Sequence, residues 1–92
     1  MVTSHMHVII AYDIEVERLP KVYHIMKRYL NWIQNSAFEG DLSPGQLEEL
    51  KIKVSKVIDE SKDCIVVFTM ENPKWIEKTV WGREKSVTDS II

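Results

Sequence analysis

The chain has 92 residues, 45% of them apolar and 28% charged, which describes one domain of modest core and argues against a membrane chain. A net charge of −2 leaves any nucleic-acid surface to a local basic patch, since global electrostatics give no support for such binding. The single cysteine, Cys64, excludes an internal disulfide and fits a reducing cytoplasm.

Met1 to Met6 reads as an expression leader ahead of a native start at Met6, so residues 1–5 stand outside the fold. His5 and His7 form a His-x-His pair that could hold a metal, unless His5 is part of that leader. The first element is the apolar run from His7 to Ile14. Val8, Ile9 and Ile10 are β-branched and suit a buried strand, and apolar residues at successive positions predict a central one. Asp13 follows where the strand leaves the core. A carboxylate there opens the next turn, or it binds a cation at the mouth of a site.

Leu19, Val22, Tyr23, Met26, Tyr29, Leu30 and Ile33 recur at helical spacing. Pro20 is tolerable only in a first turn, which places the helix start near residues 17–19. Arg18, Lys21 and Arg28 fall on its polar side, with Lys27 beside them. They form either a solvated face, with Glu17 and Lys21 as an i,i+4 pair, or a ridge that contacts phosphates.

Asn35-Ser36 is a turn signal between short strands over 31–35 and 37–42, although one continuous bulged strand fits nearly as well. Gly40 marks a bulge or a close backbone approach. Ser43-Pro44-Gly45-Gln46 opens a second helix with a capping box, and its apolar face of Leu47, Leu50, Val54, Val57 and Ile58 predicts an end near Glu60. Asp63 to Met70 is a second strongly apolar strand. Residues 74–81 read as a helix after Asn72-Pro73 or as a strand with Trp75, Thr79 and Trp81 on one face and Ile76 and Val80 on the other. A strand apolar on both faces hints at a partner subunit. Residues 83–92 are a polar tail.

This order gives an α+β fold, a ferredoxin-like βαββαβ sandwich over residues 6–82 with an extra C-terminal strand. Right-handed crossovers put strands one and four in the centre and both helices on one sheet face. The other face is then uncovered, and a sheet-to-sheet homodimer would cover it.

Three stretches together carry a family resemblance: Met6 to Ile14 with its Tyr-Asp ending, Leu30 to Gly40 with Gln34-Asn35-Ser36-Ala37-Phe38-Glu39, and the closing apolar strand with its charged tail. The chain resembles the CRISPR-associated Cas-two family, the small adaptation proteins of prokaryotic immunity, and looks like an archaeal member. The resemblance implies a homodimer in which the last strand joins the partner's sheet. It implies that Asp13 faces its symmetry mate with a divalent metal, Mg2+ or Mn2+, between them, and that the pair hydrolyses phosphodiester bonds of single-stranded RNA or double-stranded DNA. It implies, finally, a role in spacer acquisition beside the CRISPR integrase. Tyr12, Ser36 and Phe38 match neighbouring motif positions, while Arg18 and Arg28 fall on the flanking helix. Some members carry an arginine where this chain has Trp32.

Two functions follow. The first is a metal-dependent endonuclease with Asp13 as catalytic and metal-binding residue, and Tyr12, Arg18, Lys21, Arg28 and Ser36 contacting nucleic acid. The second is a non-catalytic dimeric bridge that holds DNA and the integrase.

Overall fold

The structure is a computed structural model that describes residues 5–72 and 75–83. Residues 1–4 of the expected leader and the expected tail from residue 84 lie outside the described residues. Its elements are β1 (Met6–Asp13), α1 (Leu19–Lys27), β2 (Asn31–Gln34), β3 (Ala37–Leu42), α2 (Pro44–Ser55), β4 (Cys64–Asn72) and β5 (Trp75–Gly82). One sheet has the order β2-β3-β1-β4-β5, and every neighbouring pair is antiparallel. This is the ferredoxin-like order with β5 added beyond β4, and the two most apolar strands hold the centre as expected.

β1 alternates between buried and partly buried side chains along its length. Val8, Ile10 and Tyr12 point under the helices and join Val22, Met26, Phe38, Leu50, Val54, Ile65 and Val67 in the core. The alternate residues Ile9 and Ala11 lie on the opposite face with Val66, Phe68 and Val80, their cross-strand neighbours. Within one chain, therefore, the helices cover a single face of this strand.

α1 starts where Pro20 requires, with Arg18 as N-cap, but it ends at Lys27, short of its apolar pattern. The amide of Leu30 still bonds the Met26 carbonyl at 2.8 Å. The chain then turns into β2, which carries Ile33 out of the helix and leaves it exposed. Gly40 admits Leu30 at this point. A Cβ on Gly40 would stand 3.0 Å from Leu30 Cδ2, so the glycine marks a close approach. The sheet irregularity falls instead on β2, between Trp32 and Gln34.

Ser43 and Gln46 form the expected capping box at the start of α2. The helix stops at Ser55, earlier than the spacing of Val57 and Ile58 predicts. The reason is a competing acceptor. The Asp59 amide donates to Asp63 Oδ2 at 2.9 Å rather than continuing the helical ladder, and Asp59 in turn receives the Ser61 amide and hydroxyl.

Residues 75–82 form a strand, which resolves the helix alternative. β5 pairs with β4 of its own chain from Trp75 to Gly82, whereas the resemblance implied a strand given to the partner's sheet. Trp81 opposes Ile65 and is buried on the helix side, while Val80 and Ile76 lie on the open side with Val66 and Met70. The strand ends at Gly82, whose φ of 87° belongs to the left-handed region. A Cβ there would come within 2.5 Å of the Asp63 carbonyl oxygen. Gly82→Ala is expected to destabilise the chain by about 1–3 kcal/mol, read as a lower urea midpoint at unchanged slope. A neutral result would mean that β5 does not end in this conformation.

Candidate metal and nucleic-acid site

One end of the sheet gathers the residues singled out in the sequence. β1 finishes there at Asp13, β4 begins at Cys64 and β5 finishes at Gly82, and these three residues lie in one cross-strand row. Asp13 is exposed, while Tyr12 before it and Ile14 after it are buried. Two anchors thus fix the backbone from which the carboxylate projects. The β2–β3 turn closes against the same end, because the Tyr12 amide donates to the Ser36 carbonyl at 3.0 Å. Asn35 holds the turn at φ 45°, a conformation asparagine tolerates better than most residues. The Trp32 indole N–H fastens it by donating to the Asn35 carbonyl at 3.1 Å. Trp32 is therefore a clamp on this turn.

Behind Asp13 lies a hub that periodicity did not reveal. The Asp63 side chain is fully buried. Its Oδ1 accepts from the Glu15 amide and Arg18 Nη2, both at 3.0 Å, and its Oδ2 accepts from Arg18 Nε at 2.6 Å and the Asp59 amide at 2.9 Å. The Arg18 guanidinium holds the Asp63 carboxyl down at about 2, with the two amides adding to its pull, while burial works against them. Arg18 also lies 3.5 Å from Glu15 and from Glu17. The loop after Asp13 is thereby pinned to the start of β4. A buried Asp beside an apolar strand, in a chain with an arginine near a helix start, was the available signal.

The structure thus gives Arg18 a different task from the phosphate contact expected of it, because its fork is filled by Asp63. Tyr12 likewise lies in the core. Its ring packs 5.8 Å from that of Phe38, and burial raises its hydroxyl pKa, with Tyr23 adding to the effect. Lys21 is exposed one turn into α1, beside His24 on an apolar groove that Pro20, Ile25 and Val57 line. Arg28 caps the far end of α1, near Lys53, whose pKa the Tyr29 hydroxyl raises. Asp13 and Ser36 come together at this end, while Lys21 faces the groove beside His24 and Arg28 caps the far end of α1. Arg83 adds a cation that sequence reasoning assigned to the tail. Its amide donates to the Asp63 carbonyl at 2.7 Å, which puts it at the Asp13 end.

Tyr12→Phe is expected to leave nucleic-acid affinity within about twofold and stability within about 1 kcal/mol. Filter binding and thermal melts check this, and a large loss of affinity would restore Tyr12 as a nucleic-acid contact.

Among the described residues, no three His, Cys, Asp or Glu side chains are grouped to hold a metal. Asp13 offers the hard oxygen ligands that Mg2+ takes, but one carboxylate is too few for a cage. The His7 ring is engaged elsewhere, with Nδ1 3.1 Å from Asp41 Oδ1 and Nε2 3.5 Å from Glu39 Oε1.

A small α+β chain with a ferredoxin-like sheet and an exposed carboxylate at its rim is the class defined so far. Residues 6–78 match the family described as CRISPR associated protein Cas2, and the chain belongs to that family. A curated protein of Thermodesulfovibrio yellowstonii, named CRISPR-associated endoribonuclease Cas2 3, is 42% identical over 94% of this chain and 98% of its own length. A protein of Archaeoglobus fulgidus, named CRISPR-associated endoribonuclease Cas2 2, is also 42% identical, over 88% of each chain. A bacterial and an archaeal relative are thus equally similar. A solved structure titled "Crystal structure of cas2" superposes with a TM-score of 0.72 at 39% identity, over 97% of this chain and all of that one. Streptococcus pyogenes Cas2 at pH 6.5 gives a TM-score of 0.61 at 30% identity, over 66% of this chain and 81% of that one.

Proposed function

We propose that the chain is a metal-dependent endonuclease of CRISPR adaptation, active as a homodimer that joins two Asp13 carboxylates. The observation that carries this is the placement of Asp13, exposed between two buried anchors at the rim of an uncovered apolar sheet face. Curated relatives that match nearly the whole chain are named endoribonucleases, which supports the reaction class. Each carboxylate supplies hard oxygen ligands, and substrate phosphate and water fill the remaining positions. A divalent ion held there would polarise the phosphate and lower the pKa of water.

The chain's own groups divide the remaining work. Ser36 sits on the turn beside Asp13, Arg83 puts a cation at that end, and Lys21 is exposed on the first turn of α1. These three would position the phosphate backbone, with Arg28 reaching a more distant stretch of it. Arg18 and Asp63 keep the Asp13 loop in place. The substrate is RNA or duplex DNA, and the setting is the cytoplasm.

A second reading is favoured by the sparse donor set among the described residues. In it the dimer bridges DNA and the CRISPR integrase without cleaving. Side-by-side assay of the wild type and Asp13→Asn on labelled RNA and duplex DNA, with Mg2+ or Mn2+, separates the two. Cleavage lost in the variant supports the nuclease, and none in either protein supports the bridge.

A further inference from the structure

Trp32 is 51% exposed, although its ring is among the largest apolar side chains. Exposed apolar residues are ordinary when they stand singly, but this one has a fixed orientation and a setting. Its one polar atom is satisfied, because the indole N–H donates to the Asn35 carbonyl at 3.1 Å. The chain's own turn thus holds the ring, and what Trp32 offers to solvent is π surface. Trp32 stands directly opposite Phe38 in the β2–β3 register, which puts it on the helix side of the sheet, away from the open face. It also continues an aromatic row. The Tyr23 ring lies 5.6 Å from that of Phe38, and Lys27 Nζ lies 5.4 Å from the Tyr23 centroid. An aromatic surface with a cation along its row suits a single nucleic-acid strand, since every base has a π face and every nucleotide a phosphate.

Position decides which form of nucleic acid can use it. From Trp32 the register passes through Phe38 to Ile10, and Asp13 lies further along the same strand. Two strand spacings across and three residues along put the Trp32 and Asp13 backbones about 14 Å apart. Asp13 continues the alternation of Ile9 and Ala11, on the opposite side of β1 from Val8, Ile10 and Tyr12. The β2–β3 turn, where the Ser36 carbonyl accepts from the Tyr12 amide, is the rim between the two positions. A strand that touches both must bend over that rim within a few nucleotides. Duplex DNA has a persistence length of about 50 nm and resists such a bend, whereas an unpaired strand follows it.

We propose that Trp32 is a stacking platform for an unpaired base, on a strand that passes over the β2–β3 turn to Asp13. This rests on the nuclease reading of Asp13 and adds to it a base subsite and the form of the substrate between that subsite and the cut.

Fluorescence anisotropy of short labelled strands tests the platform in the full chain, with EDTA present to prevent metal-dependent cleavage. Trp32→Ala is expected to weaken binding of unpaired strands about tenfold, alike for RNA and DNA, and to leave duplex affinity within twofold. Trp32→Phe keeps a ring but cannot donate to Asn35, and it is expected to stay within about threefold of the wild type. If Trp32→Phe loses as much as Trp32→Ala, Trp32 acts only as a turn clamp and the platform is overturned. A single abasic nucleotide moved along the strand gives a second test. At one position it is expected to weaken wild-type binding and to cost nothing further in Trp32→Ala. Absence of such a position overturns the platform. Equal affinity of wild type and Trp32→Ala for unpaired strands overturns it too, and leaves the Asp13 reading to its own cleavage assay. A wild type that binds neither unpaired strands nor duplex overturns both.

Discussion

Asp13→Asn is expected to lower metal-dependent cleavage by at least about 100-fold, because a cation at such a site supplies several kcal/mol of charge stabilisation and each 1.4 kcal/mol is a factor of ten. Asparagine keeps the size of the side chain and removes the anionic oxygens. Asp13 is exposed, so the same change should move stability by no more than about 1 kcal/mol. Cleavage and folding therefore respond separately, and a circular-dichroism melt run beside the assay shows that they do. Two carboxylates around one ion also fix a stoichiometry. Mn2+ titrated into the wild type and followed by paramagnetic resonance should bind at one ion per two chains, and the variant should not bind it. Chelation should abolish wild-type cleavage, and added Mg2+ should restore it. Equal cleavage by both proteins would remove Asp13 from the chemistry. Intact dimer and DNA affinity with no cleavage in either protein would leave the bridging role.

Much of this arrangement can be read from local sequence signals. Val8, Ile9 and Ile10 mark a central strand, Ser43 and Gln46 mark a helix start, and Asn35-Ser36 marks a turn, because short-range backbone chemistry decides each of them. The helix ends are less legible. The spacing of Val57 and Ile58 continues the α2 pattern, yet the Asp59 amide prefers a carboxylate four residues on. Ile33 keeps α1 spacing although the chain has already entered β2. Arg18 was the hardest to place. A basic residue on a helix face has the same sequence signature whether it faces water, a phosphate or an acid 45 positions away. Ile9, Ala11, Val66 and Phe68 told of a strand covered on both sides, but among the described residues the helices cover only one. What covers the other face is not described by any single window of sequence.

The largest expected loss of stability is at Asp63. Oδ1 and Oδ2 each accept two donors, so all four hydrogen bonds depend on an oxygen at both positions. Asp63→Asn turns one oxygen into an amide nitrogen that faces two donors, and it leaves the Arg18 guanidinium without its counter-charge. Removing one member of a buried pair costs about 3–5 kcal/mol, even where a well-packed apolar pair would have served equally well. A domain of this size is stable by roughly 5–14 kcal/mol, so the variant should lose a third or more of the total. Its midpoint should fall by about 15 °C or more. The same carboxylate sets an acid limit on the wild type. Its pKa drops from the ordinary 3.8 to about 2 on folding, so its contribution is complete above pH 4 and is lost as pH falls toward 2. Urea midpoints measured from pH 5 to pH 2 should therefore decline steeply below pH 4 for the wild type and more gently for Asp63→Asn. Parallel curves would mean that the Arg18–Asp63 pair does not hold the Asp13 loop. Where the variant is still folded, in the cold and at neutral pH, cleavage should also fall, because Glu15 and Arg18 would no longer tie that loop to β4. Such a loss without unfolding separates a positioning role from a merely stabilising one.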